Sequence, residues 1–301
     1  MNKGLTAVAA VSAFGFATLA NAADLPTRKA PPPPPPVFAA PEPVAMWTGF
    51  YVGLNAGGTF GGNEKIGTYV ADLFDPPGIA PGAAFASSAA GLTPVSNGAF
   101  IGGAQAGYNY QFRHSFVVGL EADIQGLAGG AGGSSVGTRS DPFSPATAVT
   151  VTQAHKSLDY LGTVRARIGY LATPTLLLYG TGGLAYGGAN LSATHFSYDA
   201  SGANASSFGS NAYSDTLVGW TAGGGLEWMF HPQWSAKLEY LYYDLGTAAT
   251  PGTVIAGSTP ALGLQWAYAA AERARFDGHI VRAGVNYHFN YAAQAPVFAK
   301  Y

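Results

Sequence analysis

Residues Leu158–Tyr170, LDYLGTVRARIGY, alternate with a period of two. Leu158, Tyr160, Gly162, Val164, Ala166, Ile168 and Tyr170 fall on one side, and Asp159, Leu161, Thr163, Arg165, Arg167 and Gly169 on the other. A helix scatters these side chains around its circumference, whereas a strand sends successive side chains to opposite faces. One face is apolar and the other carries two arginines. In a soluble sheet the arginines meet water and the apolar face meets a core. In a membrane barrel the apolar face meets lipid and the arginines line the interior. The rest of the chain decides between the two.

Only 10% of the 301 residues are charged, against ~25% in ordinary soluble domains. Glycine supplies 42 residues and aromatics 13%, which suits β structure whose outer surface is not in water. The net charge of -2 leaves no electrostatic footprint for nucleic acid. The absence of cysteine excludes disulfides, thiolate metal sites and cysteine-linked lipid anchors.

Residues 1–22 read as a signal peptide: Lys3 is the positive region, an apolar run of small residues follows, and Ala20-Asn21-Ala22 is a cleavage site. The run is too short and too rich in Ala and Gly for a membrane anchor. Residues 23–46 form a periplasmic linker in which Pro31–Pro36 is an unbroken proline run, extended as polyproline II. It serves as a spacer or as an arm toward peptidoglycan.

Eight strands follow between residues 47 and 289: Trp47–Phe60, Gly98–Phe112, Phe116–Leu127, Leu158–Tyr170, Leu176–Gly188, Thr216–Phe230, Trp234–Leu245 and Asp277–Phe289. Residues 290–301 are a tail. Short turns follow the second, fourth and sixth strands, and long loops follow the first, third, fifth and seventh. Within the last loop, Ala267–Arg275 has the composition of a short helix. An even strand count with short turns at one end and long loops at the other is the pattern of an outer-membrane barrel, with both termini periplasmic. Each strand exceeds the ~9–11 residues needed to cross hydrocarbon. Aromatics collect at the short-turn end: Trp47, Phe50, Tyr110, Phe112, Phe116, Tyr170, Trp228, Phe230, Trp234, Tyr287 and Phe289 form a girdle at headgroup level. The predicted fold is all-β, an eight-stranded antiparallel up-and-down transmembrane barrel with short periplasmic turns and long extracellular loops.

The inward faces carry Glu121, Asp123, Arg165, Arg167, Glu227, Lys237, Glu239 and Arg282, four acids and four bases. An eight-stranded barrel is just wide enough for side chains to fill, so these charges are expected to pair across the lumen and plug it. Glu121 and Asp123 also have the spacing of a catalytic carboxylate pair, but partnership with the arginines is the simpler reading. The six histidines show no spacing of metal ligands, and no nucleophile elbow or phosphate-binding loop is present. No cofactor is expected. His288 faces inward near the turn end as a hydrogen-bonding residue. Arg273 and Arg275, near the outer rim, are placed to meet lipopolysaccharide phosphates.

WTGFYVGLNAG, GGAQAGYNYQF, VVGLEADIQG, LGTVRARIGY, LLLYGTGGLAYG, GWTAGGGLEWMF, WSAKLEYLYYDLG and HIVRAGVNYHF together resemble the outer-membrane immunogenic, or porin-family, proteins of rhizobial and Brucella-type bacteria. The resemblance spans roughly residues 47–289. It implies an OmpA-type eight-stranded barrel in a Gram-negative outer membrane, abundant and surface-exposed. It also implies that Val285, Tyr287 and Phe289 belong to the last strand read by the barrel-assembly machinery, although Asn290–Tyr301 extends beyond that strand. The leading functional reading is a structural, non-enzymatic barrel that contributes to envelope integrity. The alternative is a narrow channel for small solutes, which requires a continuous wet path past Arg165 and Glu121. A lipid-acting barrel enzyme requires a Ser/His or Asp/His group at the rim, which the sequence lacks. A soluble carrier conflicts with apolar residues on nearly every outward face.

Overall fold

The computed structural model describes residues 47–76, 80–96, 98–140, 147–202, 204–260 and 263–289. The expected signal peptide, linker and C-terminal tail lie outside them. The elements in chain order are β1 (Gly49–Phe60), β2 (Lys65–Phe74), α1 (Pro81–Ala89), β3 (Gly91–Pro94), β4 (Gly98–Phe112), β5 (Phe116–Ala128), β6 (Ala131–Ser140), β7 (Thr147–Thr173), β8 (Leu176–Asp199), β9 (Ser207–His231), β10 (Trp234–Ala249), β11 (Thr253–Thr259) and β12 (Leu264–Phe289).

β1, β4, β5, β7, β8, β9, β10 and β12 pair in that order, all antiparallel, and β12 returns to β1 from Phe50↔Phe289 to Phe60↔His279. The ring is closed. Closure is what hydrocarbon demands, because an open edge leaves N–H and C=O groups with no water to bind. Apolar residues point outward around the ring: Leu54, Leu120, Ile168, Leu184, Val218 and Leu238 are all exposed. Inward positions are buried and carry most of the polar side chains.

The long connections are largely strand. β7, β8, β9 and β12 run past the membrane belt, with β6 added to β7, β2 and β11 to opposite edges of β12, and β3 to β2. The loop-end extension therefore consists of two hydrogen-bonded sheets, β6-β7-β8-β9 and β11-β12-β2-β3. Ala267–Arg275 lies within β12 rather than forming a helix. Its alanine-rich composition favours helix only weakly, and hydrogen-bonded strands on both edges override that preference.

The helix occurs instead in the first connection. α1 begins with Pro81, whose missing N–H costs nothing at a helix start. The Asp75 carboxylate accepts the N–H groups of Gly82 at 2.6 Å and Ala83 at 3.0 Å, two of the donors a helix start leaves unpaired. α1 packs against residues of both sheets. Phe85 stacks on Trp266 with centroids 4.4 Å apart, and Ser88 joins a hydroxyl chain through Thr150 and Ser197 to Tyr268. His195 on β8 reaches Glu272 on β12 at 2.8 Å, which ties the two sheets together. At the tip, the Asp199 carboxylate accepts the N–H groups of Thr147, Ser201 and Asn204. Burial opposes its ionisation, but these hydrogen bonds prevail and hold it below the ordinary carboxylate range.

A bulge between Leu158 and Leu161 interrupts the β7–β8 register. The inserted residue shifts the alternation, so Leu158 turns inward beside Leu161 and Ala189 rather than outward with Tyr160.

The tight turn after β4 holds Arg113 at φ 48° and His114 at φ 62°. Non-glycine residues in this left-handed region are strained by roughly 1–2 kcal/mol each. His114→Gly is therefore expected to stabilise the refolded protein by about 1 kcal/mol, as measured by urea unfolding in detergent micelles; an unchanged midpoint would remove strain from the account.

Candidate functional site

The barrel interior is the candidate site, and its composition follows from strand parity. Glu121 and Asp123 alternate on β5, Arg165 and Arg167 on β7, Lys237 and Glu239 on β10, while β9 supplies Glu227 and β12 supplies Arg282. All eight side chains are buried. Register places opposite charges side by side: Glu121 faces Arg165, Lys237 faces Glu227 and Glu239 faces Arg282.

Arg165 is the centre of the cluster. Its Nη2 donates to Glu121 at 2.5 Å and Asp123 at 2.8 Å, and its Nη1 donates to Glu239 at 2.9 Å. Arg282 bridges Glu239, through Nε at 2.7 Å, and Asp123, through Nη2 at 2.9 Å. Lys237 donates to Glu121 at 2.9 Å. Arg167 sits one layer nearer the turn end and pairs with Glu227 at 2.7 Å. Its guanidinium lies 4.2 Å from the centroid of the Tyr179 ring. The four acids and four bases thus form one connected, balanced network.

Uncharged groups fill many of the remaining positions, though Arg167 Nε and Arg282 Nη1 are buried without a hydrogen-bond partner among the described residues. Tyr51 donates to Glu121 at 2.6 Å and accepts from Arg167 at 3.0 Å, linking the two layers. Thr163 donates to Asp123, and Tyr179 donates to Glu239. Asn286 donates to Glu227 at 2.7 Å and accepts from Gln105, which in turn accepts from Asn55. Ser235 hydrogen-bonds both Glu227 and His288. Tyr51 and Asn286 were legible only as inward positions; their roles come from strands that are neighbours in space and distant in sequence.

Below the charges lies an apolar layer of Trp47, Val117, Leu171, Leu177, Tyr179 and Met229. Trp47 is not part of the lipid girdle. It is fully buried inside the turn-end mouth, where its indole donates to the Pro174 carbonyl at 3.1 Å and its ring meets His288 edge-on at 5.7 Å. It precedes β1, so strand alternation does not fix its direction. Above the charges lies a second apolar layer that includes Ile66, Ile101, Leu161, Leu241, Phe276 and Ile280. Val285, Tyr287 and Phe289 lie on the outer side of β12 opposite Leu54, Val52 and Phe50 of β1, at the ring's closing seam. Arg273 and Arg275 lie on β12 with exposed side chains, and Arg275 pairs with Asp244. Among the described residues no group of three or more His, Asp or Glu side chains is arranged to hold a metal ion.

The family model for the outer membrane protein beta-barrel domain matches residues 36–289. The chain belongs to this family. It is therefore a bacterial outer-membrane barrel protein, with its short turns periplasmic and its strand-rich extension outside the cell. It is 38% identical over 232 residues to the 31 kDa outer-membrane immunogenic protein of Brucella melitensis biotype 1, covering 77% of this chain and 83% of the relative. The protein of the same name from Brucella suis biovar 1 matches equally. Among solved structures, OprG of Pseudomonas aeruginosa is similar at 13% identity and a TM-score of 0.34, covering 81% of this chain and 98% of OprG. The Escherichia coli protease OmpT is similar at 11% identity and a TM-score of 0.33, covering 80% of this chain and 97% of OmpT.

Removing one partner of a buried ion pair strands the other charge, at roughly 3–5 kcal/mol. Glu239→Ala, which leaves Arg165 and Arg282 each short of a carboxylate, is expected to destabilise the refolded barrel by about that amount. Arg275→Ala, at a half-exposed pair, is expected to cost below about 1 kcal/mol. Urea unfolding in micelles compares the two, and equal effects would show that lumen burial adds nothing.

Proposed function

We propose that this protein is a structural, non-conducting and non-catalytic component of the outer membrane, sealed along its lumen and presenting its extension to the outside. The observation that carries this reading is the continuity of the filling. Trp47 and its apolar neighbours occupy the periplasmic mouth, a neutralised charge layer occupies the middle, a second apolar layer lies above it, and α1 lies within the extension. A solute path requires a wet route past Arg165 and Glu121, and both are engaged with partners and buried. The carboxylates Glu121 and Asp123 are bound to arginines and lack the free oxygen and substrate access that general acid or base chemistry needs.

In this reading the protein contributes to envelope integrity and, like the relatives whose name describes them as immunogenic, is exposed on the cell surface. Arg273 and Arg275 contact lipopolysaccharide phosphates at the outer rim. Val285, Tyr287 and Phe289 serve as the strand recognised by the barrel-assembly machinery, and the proline-rich arm reaches toward peptidoglycan.

Refolded wild-type protein in a planar bilayer is expected to be electrically silent. Trp47→Gly alone is expected to remain silent, because the charge layer still closes the lumen. A silent wild type supports the reading with or without a leak from Arg165→Ala combined with Arg167→Ala, because apolar layers flank the charge layer on both sides. Steady, reproducible conductance steps from the wild type would overturn the reading in favour of a narrow channel.

A further inference from the structure

A cavity of about 60 Å³ lies inside the barrel where the membrane wall gives way to the extension. Ala99 and Gly278, which line it, are one inward step beyond Ile101 and Ile280. It therefore sits on the cell-exterior side of those residues, away from the charge layer. Leu127, Leu158 and Phe276 give it an apolar lining. On one side it is bounded by Gly61, Gly98, Gly129 and Gly130. β1 and β5 end there and β4 begins there, whereas β7 and β12 run on. Gly98, Gly129 and Gly130 are exposed, and with no side chains to cover it this is the open side of the cavity.

Two polar groups in this lining serve no part of the lumen network. Lys156 on β7 is 5% exposed and Tyr243 on β10 is 6% exposed. The buried cations Arg165, Arg167, Lys237 and Arg282 each hold a carboxylate. Lys156 reaches none among the described residues. Its ammonium donates to the carbonyls of Asn63 and Arg275, which leaves one of its three N–H groups over. Burial pushes this ammonium below its ordinary range, and the charges of Asp277 and Glu64 oppose that only in part. The Tyr243 hydroxyl lies beside Gly278, another residue of the lining. It makes no hydrogen bond among the described residues, and a buried donor without an acceptor is destabilising.

We propose that the cavity is a phosphate site. One phosphate group enters between the glycines, takes the spare Lys156 N–H and the Tyr243 hydroxyl as donors, and carries the countercharge that Lys156 lacks. Charge-assisted bonds of this kind are the strong ones. The size fits: at ~10–15 Å³ per water, the space holds a group of about four or five non-hydrogen atoms. The neighbouring carboxylates leave it free. Asp277 accepts the Asn63 N–H at 2.9 Å and the Tyr242 hydroxyl at 3.2 Å, and Glu64 is exposed. The height fits as well. Phe60 pairs with Gly98 on the rim, and Phe60, Phe100 and Trp220 are outward and exposed. Aromatic residues of this kind mark a membrane interface, so the glycine side opens at the level of the outer-leaflet headgroups. The phosphate is either a free anion from outside or part of a lipid headgroup; the chemistry that binds it is the same. The site is independent of whether the lumen conducts and of any contact made by Arg273 and Arg275.

The test is calorimetric titration of the refolded chain in an uncharged, phosphorus-free detergent. The probes are inorganic phosphate and, separately, dihexanoyl phosphatidic acid, with dihexanoylglycerol as the blank for partition into micelles. The wild type is expected to bind at least one probe saturably, at one site per chain. Saturation by inorganic phosphate alone assigns a free anion, saturation by the lipid alone assigns a headgroup, and saturation by both means that the site takes the group in either form. Tyr243→Phe, which removes only the hydroxyl, is expected to weaken binding about tenfold. Lys156→Met is expected to abolish it, and Lys65→Met, which removes an exposed charge from β2, to leave it unchanged. Lys156→Met also loses two bonds to backbone carbonyls, so Tyr243→Phe decides the matter where that variant does not refold. No saturable binding of either probe overturns the proposal, as does binding that Tyr243→Phe leaves at wild-type strength. A loss that Lys65→Met reproduces also overturns it, since that marks a diffuse effect of surface charge.

Discussion

Arg165 organises this molecule. Its guanidinium holds Glu121, Asp123 and Glu239 within hydrogen-bonding distance, carboxylates contributed by two strands other than its own. A charge in that position, removed from water, is tolerated only if partners replace its hydration. The closed ring of strands brings those partners together. Closure also satisfies the backbone, so one topology meets both demands of the hydrocarbon environment. The balance of four acids and four bases follows from the same requirement, since any excess charge would remain buried without a counterpart.

The filling has a layered logic. Apolar layers at Trp47 and at Ile101 bound the charges from below and above, and the low local dielectric of such surroundings strengthens each ion pair. The extension repeats the arrangement at lower charge density. There α1 supplies the packing, and the His195–Glu272 contact with the Ser88–Thr150–Ser197–Tyr268 hydroxyl chain supplies the polar ties. What the protein presents to the outside is therefore a built β structure rather than loose loops.

Sequence alternation made the ring legible because lipid on one face and packed polar groups on the other produce strong contrast. Arg165, Glu121 and Glu239 could be assigned inward on parity alone. The extension was much less legible. Ala131–Ser140, AGGSSVGTRS, and the upper half of β9 are mostly small and polar, with only isolated apolar residues such as Val136, Phe208 and Tyr213, so their period of two has little amplitude. Leu158 was misdirected because a bulge shifts parity without a mark in composition. Trp47 read as girdle because aromatics near a strand end suit either side of a wall. The alanines of Ala267–Arg275 favoured helix by propensity, a small preference that strand pairing on both edges overrides. Each miss arose where a tertiary neighbour decided what the local pattern left undetermined.

The proposed sealing of the lumen requires that water not reach the charge layer. Thr163 is the probe of choice: it lies inward on β7, donates to Asp123 and is 1% exposed. In the cysteine-free chain, Thr163→Cys places a single thiol in the middle of the lumen with little change in volume. The decisive measurement is its rate of reaction with a small water-soluble methanethiosulfonate in intact proteoliposomes, compared with a thiol at exposed Val254. The lumen thiol is expected to react at least a thousandfold more slowly and to become reactive only when the barrel is unfolded. Comparable rates at the two positions would mean that water and small solutes reach the charge layer, and the sealed barrel described above would be wrong.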